Sequence, residues 1–247
     1  MTMLHFHGTP ITPRSALHAL AGRCFCVSFA APRDVAVCHD IGQSVMLDNG
    51  AYSAWRQGTP VRDWIAYYRW CERWLEHWTT WAVIPDVIDG DEAANDALVE
   101  QWPHGDRGAP VWHLHESLAR LTRLVERWPL VCLGSSGDYA VVGTHAWAAR
   151  MAQAMDAACD VDGRPRTRLH LLRGLRYAAG PYPLHSADST NVARNHSGNP
   201  SRCEPSKDPE RMAARIDARQ PPARWEPGSH APIELARATA PQRASAA

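Results

Sequence analysis

Eight short apolar runs recur along the chain, and helix-like stretches separate most of them. The runs occupy residues 3–8, 24–30, 44–50, 80–86, 109–115, 130–137, 169–175 and 182–189. They are continuously apolar rather than alternating, as in parallel strands that helices cover on both faces. Eight such units predict an α/β fold, a TIM-like (β/α)8 barrel that is irregular at the short connection between the last two strands. A doubly wound open sheet is the main alternative.

Helical periodicity fills the segments between these runs. We predict helices over 14–22, 61–78, 89–102, 116–128 and 144–159. The second of them carries aromatic residues about three and four positions apart, a spacing typical of core packing. These residues are Trp64, Tyr67, Tyr68, Trp70, Trp74 and Trp78.

The composition shifts from about residue 199. The segment after it is rich in turn residues, 210–219 has the pattern of a short helix, and the last 25 or so residues are mostly Pro, Ala and Arg. We therefore predict a catalytic barrel over residues 1–198. Residues 199–247 are expected to be a C-terminal extension that is partly disordered or peripheral.

Charge and cysteine usage narrow the class of protein. Lys and Arg number 26, as do Asp and Glu, so the formal net charge is zero and there is no polybasic arm or acidic tail. Seven cysteines lie mostly in apolar runs, which indicates reduced, buried thiols in a cytosolic protein. The N-terminal residues lack a charged region followed by an apolar one, so we expect that they are not a signal peptide. No run reaches the roughly 18 apolar residues of a membrane span.

Polar or glycine-rich segments end six consecutive predicted strands. The segments are Asp48-Asn49-Gly50-Ala51-Tyr52, Pro85-Asp86, His113-Leu114-His115-Glu116, Gly134-Ser135-Ser136-Gly137, Arg173-Gly174 and Asp188-Ser189-Thr190. A single Asp at a strand end is typical of a helix cap or an Asx turn. In a β/α barrel, however, the carboxyl ends of all strands meet at one face, where active sites lie. The series therefore predicts an active site.

The types of side chain in these segments indicate the reaction. Three carboxylates, Asp48, Asp86 and Asp188, are predicted to converge with the aromatic residues Tyr52 and Trp55. Carboxylates serve as general acid and base and as nucleophiles at a sugar carbon. Aromatic faces suit a planar base. Together these groups indicate glycosidic chemistry at a nucleoside.

The same segments, in the same order, resemble the tRNA-guanine transglycosylases, and in particular their shorter relatives in phages and bacteria that place 7-deazaguanines into DNA. Asp48-Asn49-Gly50-Ala51-Tyr52 approaches the family's D-S-G-G-F pattern, and Ile84-Pro85-Asp86 approaches its strand-end Asp. Gly134-Ser135 matches a Gly-rich turn. Residues 187–195 echo the family's segment F-D-C-x-x-P-T-R-N-A-R-N-G. The resemblance covers about residues 44–198.

The resemblance implies a transferase, specifically a glycosyltransferase that exchanges guanine in nucleic acid for a 7-deazaguanine base. Asp188 would be the nucleophile that holds a covalent sugar intermediate, and Asp48 would be the general acid and base. Asp86 would bind the edge of the base, and Tyr52 would stack on it. The other residues expected to bind substrate are Asn49, Gly50, His113, His115, Gly134, Ser135, Gly174 and, facing phosphate, Arg173 and Arg194.

One departure from the family bears on the substrate. The tRNA enzymes carry a C-x-C-x-x-C…H zinc site after the nucleophile, whereas here only Cys203 follows Asp188. We therefore expect no metal and no cofactor, and by elimination DNA rather than tRNA. The expected partners are nucleic acid and the free base, with no membrane; a homodimer or accessory proteins stay open. The expected location is the cytoplasm of a bacterium or of a phage-infected host.

Two other interpretations stay open. His113 and His115 are two positions apart, so they face one side of a strand; with Asp188, and His170 between, they would suit a metal-dependent hydrolase on a β/α barrel. The second interpretation is a module that binds a ligand but has no catalytic activity.

A set of arginines late in the chain is open to two interpretations. They are Arg164, Arg166, Arg168, Arg173, Arg176 and Arg194. They would either cross a phosphate backbone or lie on solvated loops.

Overall fold

The computed structural model describes residues 2–197 and 204–227. Within them the protein is an α/β structure whose parallel strands form a nearly closed, barrel-like sheet, which we call the barrel. The strands are β1 (Leu4–Gly8), β2 (Cys24–Ser28), β3 (Ser44–Asp48), β4 (Thr80–Val83), β5 (Gly108–Ala109), β6 (Val111–His113), β7 (Leu130–Gly134), β8 (Arg168–Leu171) and β9 (Ser186–Ser189). Their order is β5-β4-β3-β2-β1-β9-β8-β7-β6.

Pro110 separates β5 from β6, the two ends of this order. A proline has no N–H to donate to a strand ladder. Its carbonyl still accepts from Cys132 N (2.9 Å), while the Ala109 carbonyl accepts from Ile84 N (2.9 Å). Residues 108–113 thus bond to β7 on one side and to β4 on the other, and the sheet nearly closes.

The strand order decides against the open sheet. A doubly wound sheet reverses its order at a switch point. Here β1 lies between β2 and the last strand, β9, and neighbouring strands follow the chain all the way round. The doubly wound alternative is therefore wrong, and the predicted α/β barrel-like architecture is confirmed at this level.

Nine α-helices lie in the described residues. They are α1 (Arg14–His18), α2 (Val35–Ile41), α3 (Ala51–Arg56), α4 (Ile65–Trp74), α5 (Glu92–Glu100), α6 (Leu118–Arg127), α7 (His145–Ala158), α8 (Asn191–Asn195) and α9 (Pro209–Asp217). Side-chain oxygens cap four of them by accepting from backbone N–H groups of the first turn. The caps are Asp91, Ser117, Thr144 and Asp208.

The aromatic helix is shorter than predicted. It begins at Ile65, whose N–H donates to Asp63 Oδ1 (2.9 Å), a local turn that precedes the helix. Trp64 and Tyr67 are buried, as core packing requires. Trp78 lies beyond the helix and is 86% exposed, so the prediction of core packing was wrong for this residue.

Side chains alternate between two apolar layers because successive strand residues face opposite sides of a sheet. On β2, Cys24 and Cys26 point into the barrel, whereas Phe25 and Val27 point outward toward the helices. The inner layer continues through Phe6, Met46, Val83, Ala109, Val111, Leu130 and Cys132. The same alternation decides which residues face the inside at the strand ends.

The described part of the C-terminal extension packs against the outside of β1. Met212, Ala213 and Ile216 of α9 are buried. Asp217 accepts hydrogen bonds from His7 of β1 (3.1 Å) and from Arg23. The division of the chain at residue 198 stays a prediction. Residues 198–203 and 228–247 lie outside the described residues.

The described cysteines are buried, as the apolar runs around most of them predicted. Six cysteines are buried and free, and Cys203 lies outside the described residues. Burial raises the pKa of the thiols of Cys24, Cys38 and Cys71 to about 12, so these groups stay protonated near neutral pH. Within residues 2–197 and 204–227, no helix combines the length and apolarity that crossing a membrane requires.

Candidate functional site

Four ionisable side chains gather inside the mouth of the barrel, the end at which the parallel strands terminate. Asp48 stands two residues after Met46 of the inner layer, and His113 stands two after Val111. Asp188 is paired in register with Phe6, another inner residue. His170 is paired with Ser186 and lies in ring contact with Phe6. The period of two thus aims all four at one space.

Asp48 is a partly buried carboxyl group at the end of β3. Burial raises its pKa to about 6, and the negative charges of Asp188 and Asp86 act in the same direction. Hydrogen bonds from the Ser28 hydroxyl and from Gly50 N (3.1 Å) to the carboxylate oppose the shift. A carboxyl group of this pKa exchanges its proton near neutral pH, which suits a general acid and base.

Asp86 is buried between Asn49 and His113. Asn49 Nδ2 donates to Asp86 Oδ1 (2.8 Å) and to the Ile84 carbonyl (3.0 Å). His113 Nε2 lies 2.9 Å from Asp86 Oδ2. Neither ring nitrogen of His113 makes a well-aligned hydrogen bond within the described residues, although the side chain is only 3% exposed.

Asp188, at the inner end of β9, receives its hydrogen bonds on one oxygen. Arg173 N donates to Oδ1 (2.7 Å), and His170 Nε2 lies 3.2 Å from the same atom. The hydroxyls of Ser186 and Ser189, which are near Asp188 in the chain, have other partners. Ser186 Oγ instead bonds to His170 Nδ1 (2.8 Å), and Ser189 Oγ accepts from Asn191 N (3.3 Å).

Arg173 and Tyr52 meet across the mouth. The guanidinium carbon lies 3.6 Å from the centre of the Tyr52 ring, a cation–π contact, and Nη2 donates to the Ser135 carbonyl (3.4 Å). Arg173 has a φ of +56°, an unusual backbone conformation for a residue with a side chain, which accompanies the bond from its N–H to Asp188. In this state Arg173 covers a face of Tyr52 that was predicted to stack on a base.

Several residues predicted to bind substrate make structural contacts. Asn49 is buried and its oxygen accepts from Ala51 N (2.8 Å) at the start of α3. Gly50 has a φ of +78°, a left-handed conformation that favours glycine. Gly174 lies against Leu171, where a Cβ would be 2.4 Å from Cγ. The contacts of these three residues are with the protein itself, and they support the structure around the mouth.

The segment after β7 lies beside the two histidines of β6. A Cβ on Gly134 would be 3.0 Å from His113 Nδ1, so the glycine makes room for the imidazole. Ser135 is buried and its Oγ accepts from Trp147 Nε1 (2.9 Å). His115 stacks on His113 with ring centres 5.7 Å apart, is exposed, and bonds to Ser136 Oγ (2.7 Å).

A buried ion pair that the sequence analysis did not single out supports His113. Glu116 Oε2 accepts from His113 N (2.8 Å) and from Arg120 Nη1 (2.7 Å), and its Oε1 accepts from Asn95 (2.9 Å). Arg120 is 0% exposed and also bonds to Asp96 (2.7 Å). Glu116 lies just before α6 and Arg120 in its first turn; their opposite charges four residues apart were the sequence signal that could have predicted the pair.

The late arginines do not form one surface. Arg168 begins β8 whereas Arg173 follows its end, so Arg168 lies at the opposite end of the barrel from Asp188. Arg164 and Arg166 precede Arg168 and face Asp162 and Glu126.

The exposed side chains of Arg176 and Arg194 follow β8 and β9 on the side of the mouth. On that side, the loops after β1 and β2 form a separate cleft of about 180 Å³. It is lined by Ile11, Thr12, Arg14, Arg33 and Asp34.

The alternative metal site does not assemble in the described part of the chain. His113 lies against Asp86, His115 Nε2 bonds to the Gly90 carbonyl (3.0 Å), and Asp188 lies against His170. Residues 2–197 and 204–227 contain no group of three or more His, Cys, Asp or Glu side chains placed to hold a metal ion.

Comparisons with protein-family models, with curated proteins and with solved structures returned no match to this chain.

Proposed function

We propose that the protein is a transglycosylase that exchanges guanine in nucleic acid, DNA rather than tRNA, for a free 7-deazaguanine base. The observation that carries the proposal is the group of three carboxylates inside one barrel mouth, in which burial and the neighbouring charges raise the pKa of Asp48 to about 6. A carboxyl group that exchanges its proton near neutral pH, with a second carboxylate nearby, suits acid catalysis beside a carboxylate nucleophile.

The reaction divides into two displacements at the sugar. Asp188 attacks the anomeric carbon, the bond from that carbon to guanine breaks, and the departing base takes a proton from Asp48. The covalent intermediate is an ester between Asp188 and the sugar. The incoming 7-deazaguanine then gives a proton to Asp48 and attacks the same carbon, which releases Asp188. The phosphate backbone stays intact and no cofactor takes part.

The remaining groups of the mouth would bind the base. Asp86 and the buried imidazole of His113 present acceptor and donor atoms to its edge. Arg173 covers Tyr52 in the free protein. Stacking of a base on that face requires the guanidinium to move away, and it can then pair with a flanking phosphate. The exposed side chain of Arg194 can pair with a phosphate without such a movement.

Three finer assignments belong to the same proposal. We propose that residues 108–113 are one strand interrupted at Pro110, and on that basis that the sheet is an eight-stranded (β/α)8 barrel; the bonds of these residues to both β4 and β7 support this. DNA is preferred to tRNA because the C-x-C-x-x-C motif of the family's zinc site is missing after Asp188, where Cys203 is the one cysteine. The site of action would be the cytoplasm of a bacterium or of a phage-infected host.

Mass spectrometry of nucleosides tests the exchange. DNA and tRNA are prepared from cells that express the protein and are supplied with 7-deazaguanine bases. We expect 7-deazaguanine deoxynucleosides in DNA, and none above background in cells that express Asp188→Asn. Modified ribonucleosides in tRNA alone would contradict the DNA assignment, and modification of neither would contradict the proposed reaction.

A further inference from the structure

We propose that His170 is a positioning residue that holds one oxygen of Asp188, so that the other oxygen, Oδ2, attacks the sugar. The inference rests on the proposed function. His170 Nε2 lies 3.2 Å from Asp188 Oδ1, and His170 Nδ1 lies 2.8 Å from Ser186 Oγ. His170 is 0% exposed and Ser186 is 1% exposed, so bulk water does not replace either contact.

The hydrogen bonds assign the tautomer of His170. An ionised carboxylate only accepts hydrogen bonds, so Nε2 must carry the hydrogen that faces Asp188. Nδ1 of the neutral ring is then an acceptor, and the Ser186 hydroxyl donates to it. Ser186 thereby satisfies Nδ1 and helps to hold the ring in place, whereas the carboxylate of Asp188 sets which nitrogen carries the proton.

Two aromatic rings fix the plane of the imidazole. Phe6 and Trp81 contact it edge to face, with ring centres 5.9 Å and 5.2 Å away and interplanar angles of 72° and 70°. The imidazole therefore has little freedom to turn away from Asp188.

The two donors select one oxygen of Asp188. Oδ1 accepts from His170 and from Arg173 N (2.7 Å), whereas Oδ2 has no hydrogen-bond partner within residues 2–197 and 204–227. An oxygen that accepts two hydrogen bonds is the weaker nucleophile, so Oδ2 forms the bond to the anomeric carbon. The bond from that carbon to the base breaks, and its electron pair leaves with the base.

Rates of covalent adduct formation test this role. A guanine-containing DNA oligonucleotide is mixed with excess protein, and the adduct is measured over time on denaturing gels. We expect His170→Leu, which fills the space without a donor, to react about 100-fold more slowly with an unchanged Kd for the oligonucleotide. His170→Gln keeps an N–H near the position of Nε2 and should restore the rate to within about 10-fold of wild type.

His5→Leu is the matched control. His5 is also a buried histidine of the barrel, but its Nε2 bonds to the Arg219 carbonyl on the outer side of β1. We expect it to react at the wild-type rate. If His170→Leu does not fold, Ser186→Ala provides the second test, because loss of the hydroxyl that holds Nδ1 of His170 should slow adduct formation about 3- to 10-fold.

A wild-type rate in His170→Leu, or His170→Gln as slow as His170→Leu, would overturn the positioning role while leaving the transglycosylase intact. A wild-type rate in Ser186→Ala would overturn it as well. Absence of any adduct in the wild-type protein, with DNA and with RNA oligonucleotides, would instead contradict the proposed function and this inference with it.

Discussion

Asp48 illustrates how a functional carboxyl group lowers the stability of the protein that carries it. Its pKa is about 6 in the folded protein and 3.8 in a model peptide, so the folded state binds more protons between these values. The favourable contribution of the protonated group is complete below about pH 4 and is lost as the pH rises through 6. Above about pH 6 the folded protein keeps the partly buried negative charge of Asp48 near Asp86 and Asp188, which lowers its stability.

Asp48→Asn should therefore stabilise the protein in a pH-dependent way. At pH 8 we expect the free energy of unfolding to rise by about 1–3 kcal/mol, because the amide does not ionise and so places no negative charge in the buried site. At pH 3.5 the two proteins should be equal. Urea unfolding at both pH values checks this, and a variant that is less stable than wild type at pH 8 would contradict it.

Asp86 should affect the choice of base more than the first displacement. Asp86→Asn changes an acceptor to a mixed donor and acceptor at the base edge, so we expect adduct formation to persist. Release of the adduct by a 7-deazaguanine base should slow about 10- to 100-fold. Asp89→Asn, an exposed carboxylate three residues on, is the control. Equal loss of both steps in Asp86→Asn would assign Asp86 to the chemistry instead.

At the scale of elements, Glu116 and Arg120 join the start of α6 to β6 through bonds to the His113 N–H and the Val111 carbonyl. Glu116 and Arg120 are buried at the end of this strand, and Glu116 holds the backbone N–H of His113. A buried ion pair contributes little in net terms, but removal of one partner leaves the other charge uncompensated.

Arg120→Leu should therefore cost about 3–5 kcal/mol in the free energy of unfolding. Arg123 lies on the same helix and pairs with the same Asp96, but its side chain is 58% exposed. Arg123→Leu should change the free energy of unfolding by less than about 1 kcal/mol. Chemical denaturation of both variants measures the difference, and equal effects would show that burial of this pair is not what matters.

The sequence predicted the elements better than their ends and contacts. All eight apolar runs contain strands, because burial on both faces leaves a continuous apolar pattern. The interruption at Pro110 and the early start of β8 at Arg168 depend on hydrogen bonding that periodicity does not record. Core packing of the aromatic residues was predicted correctly for Tyr67 but not for Trp78, which lies beyond the end of the helix.

For the candidate site too, the sequence predicted which residues take part but not their contacts. Asp48, Asp86 and Asp188 were identified because the carboxyl ends of parallel strands converge. The partners of Asp188 were not, since His170 and Arg173 come from the neighbouring strand and the loop after it, and local pattern does not show which groups meet across the mouth. The contact of Arg173 with Tyr52 is of the same kind.

At the scale of the whole molecule, α9 belongs to the layer of helices around the barrel. It covers the outer face of β1, the strand whose neighbour carries Asp188. A chain that ends at residue 203 should expose His5 and His7 and lose cooperative unfolding. A chain that ends at residue 227 keeps the contacts of α9 and is the control. Cooperative thermal unfolding of the shorter chain would contradict a structural role for α9.

The central claim is that Asp188 becomes covalently bonded to a sugar of nucleic acid. The most direct measurement is intact-mass and peptide-mapping mass spectrometry of the protein after incubation with a guanine-containing DNA oligonucleotide. We predict one oligonucleotide, less one guanine, attached to the peptide that contains Asp188, and its absence in Asp188→Asn. An adduct on another residue, or one that forms equally well in Asp188→Asn, would contradict the account.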